Sequence, residues 1–200
     1  MAEELEVKVE ETAEAPVEAT ENKKESGKAR RPRRDSRRPE KVSDGLEKRM
    51  VSLNPITKVT KGGKTMRYDA LMVVGDKNGK VGIGLAKAND VTNAIEKATL
   101  VAKKNMINVC IDGTTIPHDI IGKFGTTKVI MMPSPEGKGI IAGGAVRDVV
   151  ELAGIKDITT KLYGSNNPVN CVKATFEGLK ALRTAEQIAA LRGKTVEEIR

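Results

Sequence analysis

The chain has 200 residues, of which 38% are apolar and 31% are charged, and its net charge is +8 at pH 7. This composition supplies a hydrophobic core for one or two domains, while the longest apolar stretch, residues 139–146, is too short to span a membrane. The four aromatic residues, two Tyr and two Phe, are too few for stacking bases on aromatic platforms, so the basic excess predicts a polyanionic partner that is bound through charge and shape.

The first 49 residues divide into two segments of opposite charge. Residues 1–27 contain nine Glu against three Lys, whereas residues 28–49 contain ten basic residues against four acidic ones. Neither segment has apolar periodicity, so residues 1–45 are predicted to be a disordered tail with an acidic tip and an arginine-rich base. This tail is either solvated without fixed contacts or a basic arm that folds against nucleic acid. Its acidic start predicts no secretory signal peptide.

The segment after the tail has the alternation that is typical of strands. Residues 50–60 predict a first strand, in which Pro55 requires a sheet edge or a bulge because it cannot donate a hydrogen bond. Residues 68–74 predict a second strand. The turn Asp76–Gly79 is a strong hairpin signal before a third strand at residues 81–85. These segments predict an antiparallel sheet of three strands.

A helix is predicted directly after the third strand. Asn89 or Asp90 is the expected N-cap, and an apolar face of Val, Ala and Ile follows at helical spacing. Gly82 and Gly84 lack the third glycine of a dinucleotide-binding motif and are interpreted as strand positions that allow close packing. The sheet and the helix together form the first predicted domain, residues 46–105.

The remainder of the chain alternates strands and helices, which predicts an α/β domain followed by a helical extension. The expected strands are at residues 107–111, 116–124, 127–132 and 155–163. A helix over residues 143–152 is expected to end at Gly154, and Pro168 is expected to open a long helix. The predicted domain covers residues 106–183, and the extension covers residues 184–200.

Several glycine-containing segments resemble nucleotide-binding loops in part. Gly63-Lys64-Thr65 and Gly193-Lys194-Thr195 lack the glycine that a Walker A loop carries five positions earlier. The stretch 137–144 precedes a helix and can hold an anion there, which leaves a small-molecule kinase as the alternative function. His118 is the single histidine, which excludes a metal site built on several histidines. We predict no catalytic residue, no metal site and no cofactor.

The strongest functional signal is a basic cluster around the first turn. Two adjacent glycines between lysines predict a thin loop, in which Gly62 and Gly63 adopt backbone angles closed to other residues. Such a loop can approach a phosphate backbone without reading base edges. The alternative interpretation is a solvated basic turn. The predicted RNA-binding residues are Lys58, Lys61, Gly62, Gly63, Lys64, Arg67, Lys80, Lys87, Lys103 and Lys104.

The same segments carry a resemblance that extends over most of the chain. The motifs are KVTKGGK at 58–64, ALMVVGD at 70–76, GKVGIG at 79–84, AKKN at 102–105, GTTIPH at 113–118, IIAGGAVR at 140–147 and GSNNPVN at 164–170. With these motifs in unbroken order over residues 46–200, the chain resembles the family of bacterial small-subunit ribosomal protein five. Pro55, Ala86 and Lys138 depart from the residues usual in that family.

The resemblance implies an α+β fold and a structural role without enzymatic activity. The first domain is expected to be like a double-stranded-RNA-binding domain, and the second is an α/β domain that is distantly shared with small-molecule kinases. The implied place is the cytoplasmic ribosome, with no membrane contact, on small-subunit ribosomal RNA and near the messenger RNA entry channel.

The resemblance also implies protein partners, which are ribosomal proteins four and eight. The contact with protein four bears on decoding accuracy in this family, and the basic loop bears on spectinomycin sensitivity. The expected protein-contact residues lie before and in the first turn of the helix after the glycine-rich loop: Gly139, Gly143, Gly144 and Arg147.

Overall fold

The structure, a computed structural model, describes residues 45–195, which form two four-stranded sheets and four helices. The prediction of a disordered tail falls almost wholly outside these residues, as does the end of the predicted helical extension. No helix in residues 45–195 is both long enough and apolar enough to cross a bilayer. The first half contains β1 (Glu47–Thr60), β2 (Gly63–Gly75), β3 (Lys80–Ala88), α1 (Val91–Lys104) and β4 (Met106–Asn108). The second half contains β5 (Ile120–Phe124), β6 (Thr127–Pro133), β7 (Ile140–Ile141), α2 (Gly144–Ala153), β8 (Ile158–Tyr163), α3 (Pro168–Ala181) and α4 (Ala185–Arg192).

The first sheet is antiparallel and has the order β1-β2-β3-β4. This confirms the predicted sheet with one helix, but the sheet has a fourth strand. Residues 106–108 pair with β3. They can do so because α1, which packs on β3, ends at Lys104 and leaves the next residues beside that strand. Pro55 lies on the edge strand, as expected, since β1 pairs with β2 alone. The bulge is at Val51 instead, between Met50 and Ser52.

Helix α1 packs so closely on the sheet that two strand positions must be glycine. A Cβ atom at Gly82 would lie 2.2 Å from the carbonyl oxygen of Ala102, and one at Gly84 would lie 2.0 Å from that of Ala98. Both distances are far below van der Waals contact, so the interpretation of these glycines as packing positions is confirmed. Asp90 is the N-cap residue.

The second sheet has the order β5-β6-β8-β7, in which β7 runs parallel to β8 and the other pairs are antiparallel. Helices α2 and α3 bury one face of it, and Val129, Met131 and Ile158 of the sheet are fully buried in the same apolar cluster as both helices. The predicted ends of the helices are confirmed: Gly154 caps α2 in the left-handed conformation and Pro168 is the first residue of α3. The predicted strand at residues 155–163 begins only at Ile158.

The two halves share one hydrophobic core. Leu71 and Val73 of β2 lie in the same buried cluster as Val149 and Leu152 of α2. The β2–β3 turn also bonds to the end of α2, because the N–H of Lys77 donates to the carbonyl oxygen of Leu152 at 3.1 Å. These contacts join the first sheet to the second half and leave the β1–β2 turn as the part of the sheet farthest from this junction.

Candidate nucleic-acid interface

Strands β1 and β2 extend well beyond the rest of the first sheet. The last pair between β2 and β3 is Tyr68 with Ala88, whereas β1 and β2 remain paired as far as Thr60 with Gly63. Residues 56–67, which we call the basic ribbon, therefore form a two-stranded projection about 15 Å long at roughly 3.4 Å per residue. Every residue of the ribbon except the half-buried Ile56 is exposed. The ribbon is thus available for an external partner.

The basic ribbon carries four cations and no carboxylate. Lys58 lies opposite Thr65 and Arg67 lies opposite Ile56, so both cations are on one face. Lys64, opposite Val59, is on the other face, and Lys61 is in the turn. Because positive charge is presented on both faces and at the tip, the ribbon can contact phosphates on more than one side at once.

The turn of the ribbon consists of Lys61 and Gly62. Gly62 has φ +91°, which a side chain opposes and glycine adopts freely. Gly63 does not have a positive φ, and a Cβ atom there would meet nothing within 4 Å. The expectation of backbone angles closed to other residues is therefore confirmed for Gly62 and wrong for Gly63, because Gly63 is already the first residue of an extended strand.

The other predicted RNA-binding residues divide between the two ends of the first sheet. Lys87 pairs with Asp69 at the base of the basic ribbon. Lys80 begins β3 at the opposite end, roughly 23 Å away along the strand, and α1 brings Lys103 and Lys104 to that same end. The structure therefore places seven of the ten predicted residues at the ribbon and its base, and three at the far end of the sheet.

The glycine-rich loop before β7 surrounds a carboxylate of its own chain. The backbone N–H of Gly139, which has φ +78°, donates to Oδ1 of Asp157 at 2.7 Å. Donation from Gly139 first, and also from the N–H groups of Gly137 and Lys138, lowers the pKa of Asp157 below its ordinary value of 3.8. A carboxylate thus occupies the donors that a phosphate would need, which gives no support to the kinase alternative. Within residues 45–195 there is also no cluster of three or more residues able to hold a metal.

Asp157 was missed by sequence reasoning, and its role predicts a pH effect. Because its pKa is lowered in the folded state, its contribution to stability is present above the unfolded pKa and is lost as pH falls through the lower folded value. We expect Asp157→Asn to lower the free energy of unfolding at pH 7, and the difference from wild type to shrink below about pH 3.8. Urea unfolding at several pH values measures this. A difference that grows with acidification would contradict it, and Asp119→Asn, at an exposed position, is the control.

The predicted protein-contact residues lie around the start of α2. Gly143 is its N-cap and Gly144 its first residue, and a Cβ atom at either position would meet nothing within 4 Å. Arg147 is exposed one turn later and lines a cleft of about 660 Å³. The charged residues of this cleft are Arg49, Lys77, Arg147, Glu151 and Lys156. Arg49, which was not predicted, bonds to Asp148 at 2.9 Å and to Glu151, so the cleft leaves an excess of positive charge for a partner.

Comparison with known families gives two matches. The sequence model described as "Ribosomal protein S5, N-terminal domain" matches residues 46–110. The one described as "Ribosomal protein S5, C-terminal domain" matches residues 122–192. The basic ribbon lies within the first match, and the start of α2 with Arg147 lies within the second.

Proposed function

Because the chain belongs to the ribosomal protein S5 family and is a structural component of the small ribosomal subunit, we propose that it binds small-subunit ribosomal RNA chiefly through the basic ribbon. This family is structural and non-enzymatic, and it belongs to the ribosome in the cytoplasm. Lys87 at the base of the ribbon extends the proposed contact. Lys80, Lys103 and Lys104 form a second contact at the far end of the sheet.

The observation that carries the proposal is the charge and shape of the ribbon. Four cations and no carboxylate lie on an exposed two-stranded projection, on both faces and at its tip. Phosphate contacts dominate the affinity of proteins for nucleic acids, and they need cations that can approach the backbone closely. Because the ribbon is only two strands wide, it is narrow enough to enter between RNA segments. The rest of the first sheet anchors it.

Gly63→Asp tests this proposal without straining the fold. The position accepts a side chain without a clash or a strained backbone angle, and the added carboxylate is repelled by phosphates. We expect near-wild-type thermal stability, together with reduced protection of rRNA near the loop in reconstituted subunits and an altered spectinomycin response. Gly63→Asn is the matched control, because it has the same shape without the charge. Equal protection by wild type and Gly63→Asp would indicate a solvated ribbon and contradict the proposal.

The cationic cleft beside α2 supports a second part of the proposed function. We assign Gly139, Gly143, Gly144 and Arg147 to a contact with ribosomal protein four. The proposed function also includes a contact with ribosomal protein eight and a place near the messenger RNA entry channel. Glycines with open space around them allow a neighbouring chain to approach closely, and the Arg147 guanidinium can form charge-assisted bonds with carboxylates. This contact is the proposed link to decoding accuracy.

Arg147→Glu separates the protein contact from the RNA contact. The substitution places a carboxylate against an acidic partner, so we expect it to weaken the contact with protein four and to change miscoding by severalfold. The affinity for isolated rRNA should change less than twofold. Miscoding of a reporter and rRNA binding by the purified chain measure the two effects. A large loss of rRNA affinity with unchanged fidelity would assign Arg147 to the RNA contact instead.

A further inference from the structure

A groove of about 420 Å³ lies between the first sheet and α3. Pockets that bind small planar ligands have volumes of roughly 300–1,000 Å³ and are mostly apolar, with a few polar groups that fix the orientation of the ligand. No residue of this groove belongs to the basic ribbon or to the cleft beside α2. We call it the junction groove; its apolar lining is Ile83, Met106, Ile107, Phe124 and Phe176.

Both phenylalanines of the chain line the junction groove. Gly122 of β5 faces α3, since a Cβ atom there would lie 2.0 Å from the carbonyl oxygen of Ala174, and Phe124 follows two positions later on the same side of the strand. The Phe124 side chain is 37% exposed, and Nζ of Lys173 lies 4.8 Å from the centroid of its ring. Two rings are too few for a platform that stacks successive bases, but they are enough for one base.

Three charged side chains of α3 line the same groove. Lys173, Glu177 and Lys180 recur at a spacing of four and three residues, which puts them on one face of the helix. Among residues 45–195, no ion pair within 4 Å joins Glu177 to either lysine. Asn105 adds a side-chain amide, and Lys104 immediately before it ends α1 at the rim. The groove therefore combines cations with a carboxylate that is not neutralised by them.

We propose that the junction groove holds one unpaired guanine nucleotide of small-subunit rRNA. The base packs against the Phe124 and Phe176 rings, and its Watson–Crick edge donates hydrogen bonds to the Glu177 carboxylate. The adjoining phosphates contact Lys173 and Lys180. This inference rests on the proposed function, because the assembled subunit supplies the RNA. It goes beyond that function because it assigns the recognition of a base, whereas the basic ribbon contacts phosphates.

The carboxylate of Glu177 is the group that selects guanine. An ionised carboxylate only accepts hydrogen bonds, and its two oxygens can accept two at once. Guanine presents two adjacent donors, N1–H and N2–H, on its Watson–Crick edge, whereas the other bases present acceptors beside their donors there. Because phosphates repel a carboxylate, Glu177 opposes a contact that is made with phosphates alone. Its position between two lysines is explained by a base that offers donors.

The charges around the junction groove favour RNA over the other occupants. An apolar peptide would match the lining but would leave the cations of α3 unpaired. A free nucleotide would fill the groove without using the positive charge beyond it. Lys104 borders the groove, and Lys80 pairs with Asn108 two positions after Met106, so the proposed second RNA contact at the end of the first sheet adjoins the groove.

Kethoxal probing of reconstituted small subunits tests the proposal, because this reagent reacts with N1 and N2 of unpaired guanine. We expect one guanine that the wild-type chain protects to become about fivefold more reactive with Glu177→Gln, while protection near the basic ribbon is unchanged. Glu96→Gln, at an exposed position of α1, is the matched control. Ultraviolet cross-linking of intact subunits should join the same guanine to a peptide that contains Phe124 or Phe176.

A second variant tests the contribution of the rings. Phe124→Leu keeps an apolar side chain but removes stacking surface, so we expect the same guanine to become about fivefold more reactive while thermal stability is retained. Tyr163→Leu is the matched control, at an aromatic position that is 53% exposed and outside the groove. Unchanged reactivity with Phe124→Leu or with Glu177→Gln would overturn the proposal.

Three further results would also overturn it. Stronger protection with Glu177→Gln would show that the lysines contact phosphates alone. Cross-links from the groove to a protein and none to rRNA would assign it to a peptide, and saturable binding of guanosine monophosphate by the purified chain would assign it to a free nucleotide. Loss of the guanine contact alone would leave the basic ribbon as the RNA contact, whereas loss of every rRNA protection would refute the proposed function itself.

Discussion

Replacing the four cations of the basic ribbon by alanine is expected to lower the affinity for small-subunit rRNA by about three orders of magnitude near 0.1 M salt. Each cation that contacts a phosphate releases about 0.9 of a condensed counterion, so the slope of log K against log salt should fall by roughly 3.6. The residues changed are Lys58, Lys61, Lys64 and Arg67. Folding should be retained because all four are exposed on a projection that adds nothing to the core. Filter binding at a series of salt concentrations measures both quantities.

The control for this experiment removes a similar number of cations from another surface. Alanine at Lys123, Lys128 and Lys161 removes three exposed cations from the face of the second sheet opposite α2 and α3, which is outside the proposed RNA contact. If the basic ribbon is the main RNA contact, this triple variant should change the salt slope by less than about one. Equal changes from the two variants would indicate that affinity follows total charge alone, and would contradict a localised contact.

Leu152→Ala is expected to lower the free energy of unfolding by about 2–5 kcal/mol. The side chain is 1% exposed in the core that joins both halves. The backbone there is equally constrained, since a Cβ atom at Gly75 would lie 2.2 Å from the Leu152 carbonyl oxygen. Because one cluster contains residues of both sheets, we expect a single cooperative transition in urea, in which both halves lose stability together.

Hydrogen exchange measured on the same variant identifies which elements are affected. Amides of β2 and of β6 should lose protection by a similar factor in Leu152→Ala, although β2 belongs to the other half of the chain. Leu191→Ala, at an exposed position of α4, should change stability by less than about 0.5 kcal/mol. Two separate unfolding transitions, or a loss of protection confined to the second half, would show that the halves are independent.

The local features of this protein could be predicted from its sequence. Alternation of apolar residues predicts strands, and turn residues such as Asp76–Gly79 predict where the chain reverses, because both depend on residues within a few positions of one another. The same is true of the ends of α2 and α3, where Gly154 and Pro168 act through their own backbone angles. The cluster of four cations around Gly62 is also local, so the candidate RNA contact was predicted before the fold was known.

Contacts between distant residues could not be predicted in this way. Residues 106–108 join the first sheet because α1 returns the chain to β3, and the same return separates Lys103 and Lys104 from the basic ribbon. Gly139 and Asp157 are 18 positions apart, and only the fold brings the carboxylate to the loop.

Which face of the second sheet is covered also depends on contacts between distant residues. Strand alternation in β6 shows that Val129 and Met131 point one way and Lys128, Ile130 and Met132 the other. It does not show which side α2 and α3 cover. That choice follows from the close packing of α3 against Gly122 and from the core shared with the first half. The sequence by itself therefore determined most of the helices and strands, their order and the charge they carry, since these depend on neighbouring residues. It did not determine the short strand β7 or the place of residues 106–108 in the first sheet. The tertiary structure decided which surfaces are covered and which remain for partners, because burial depends on residues that are far apart in the chain.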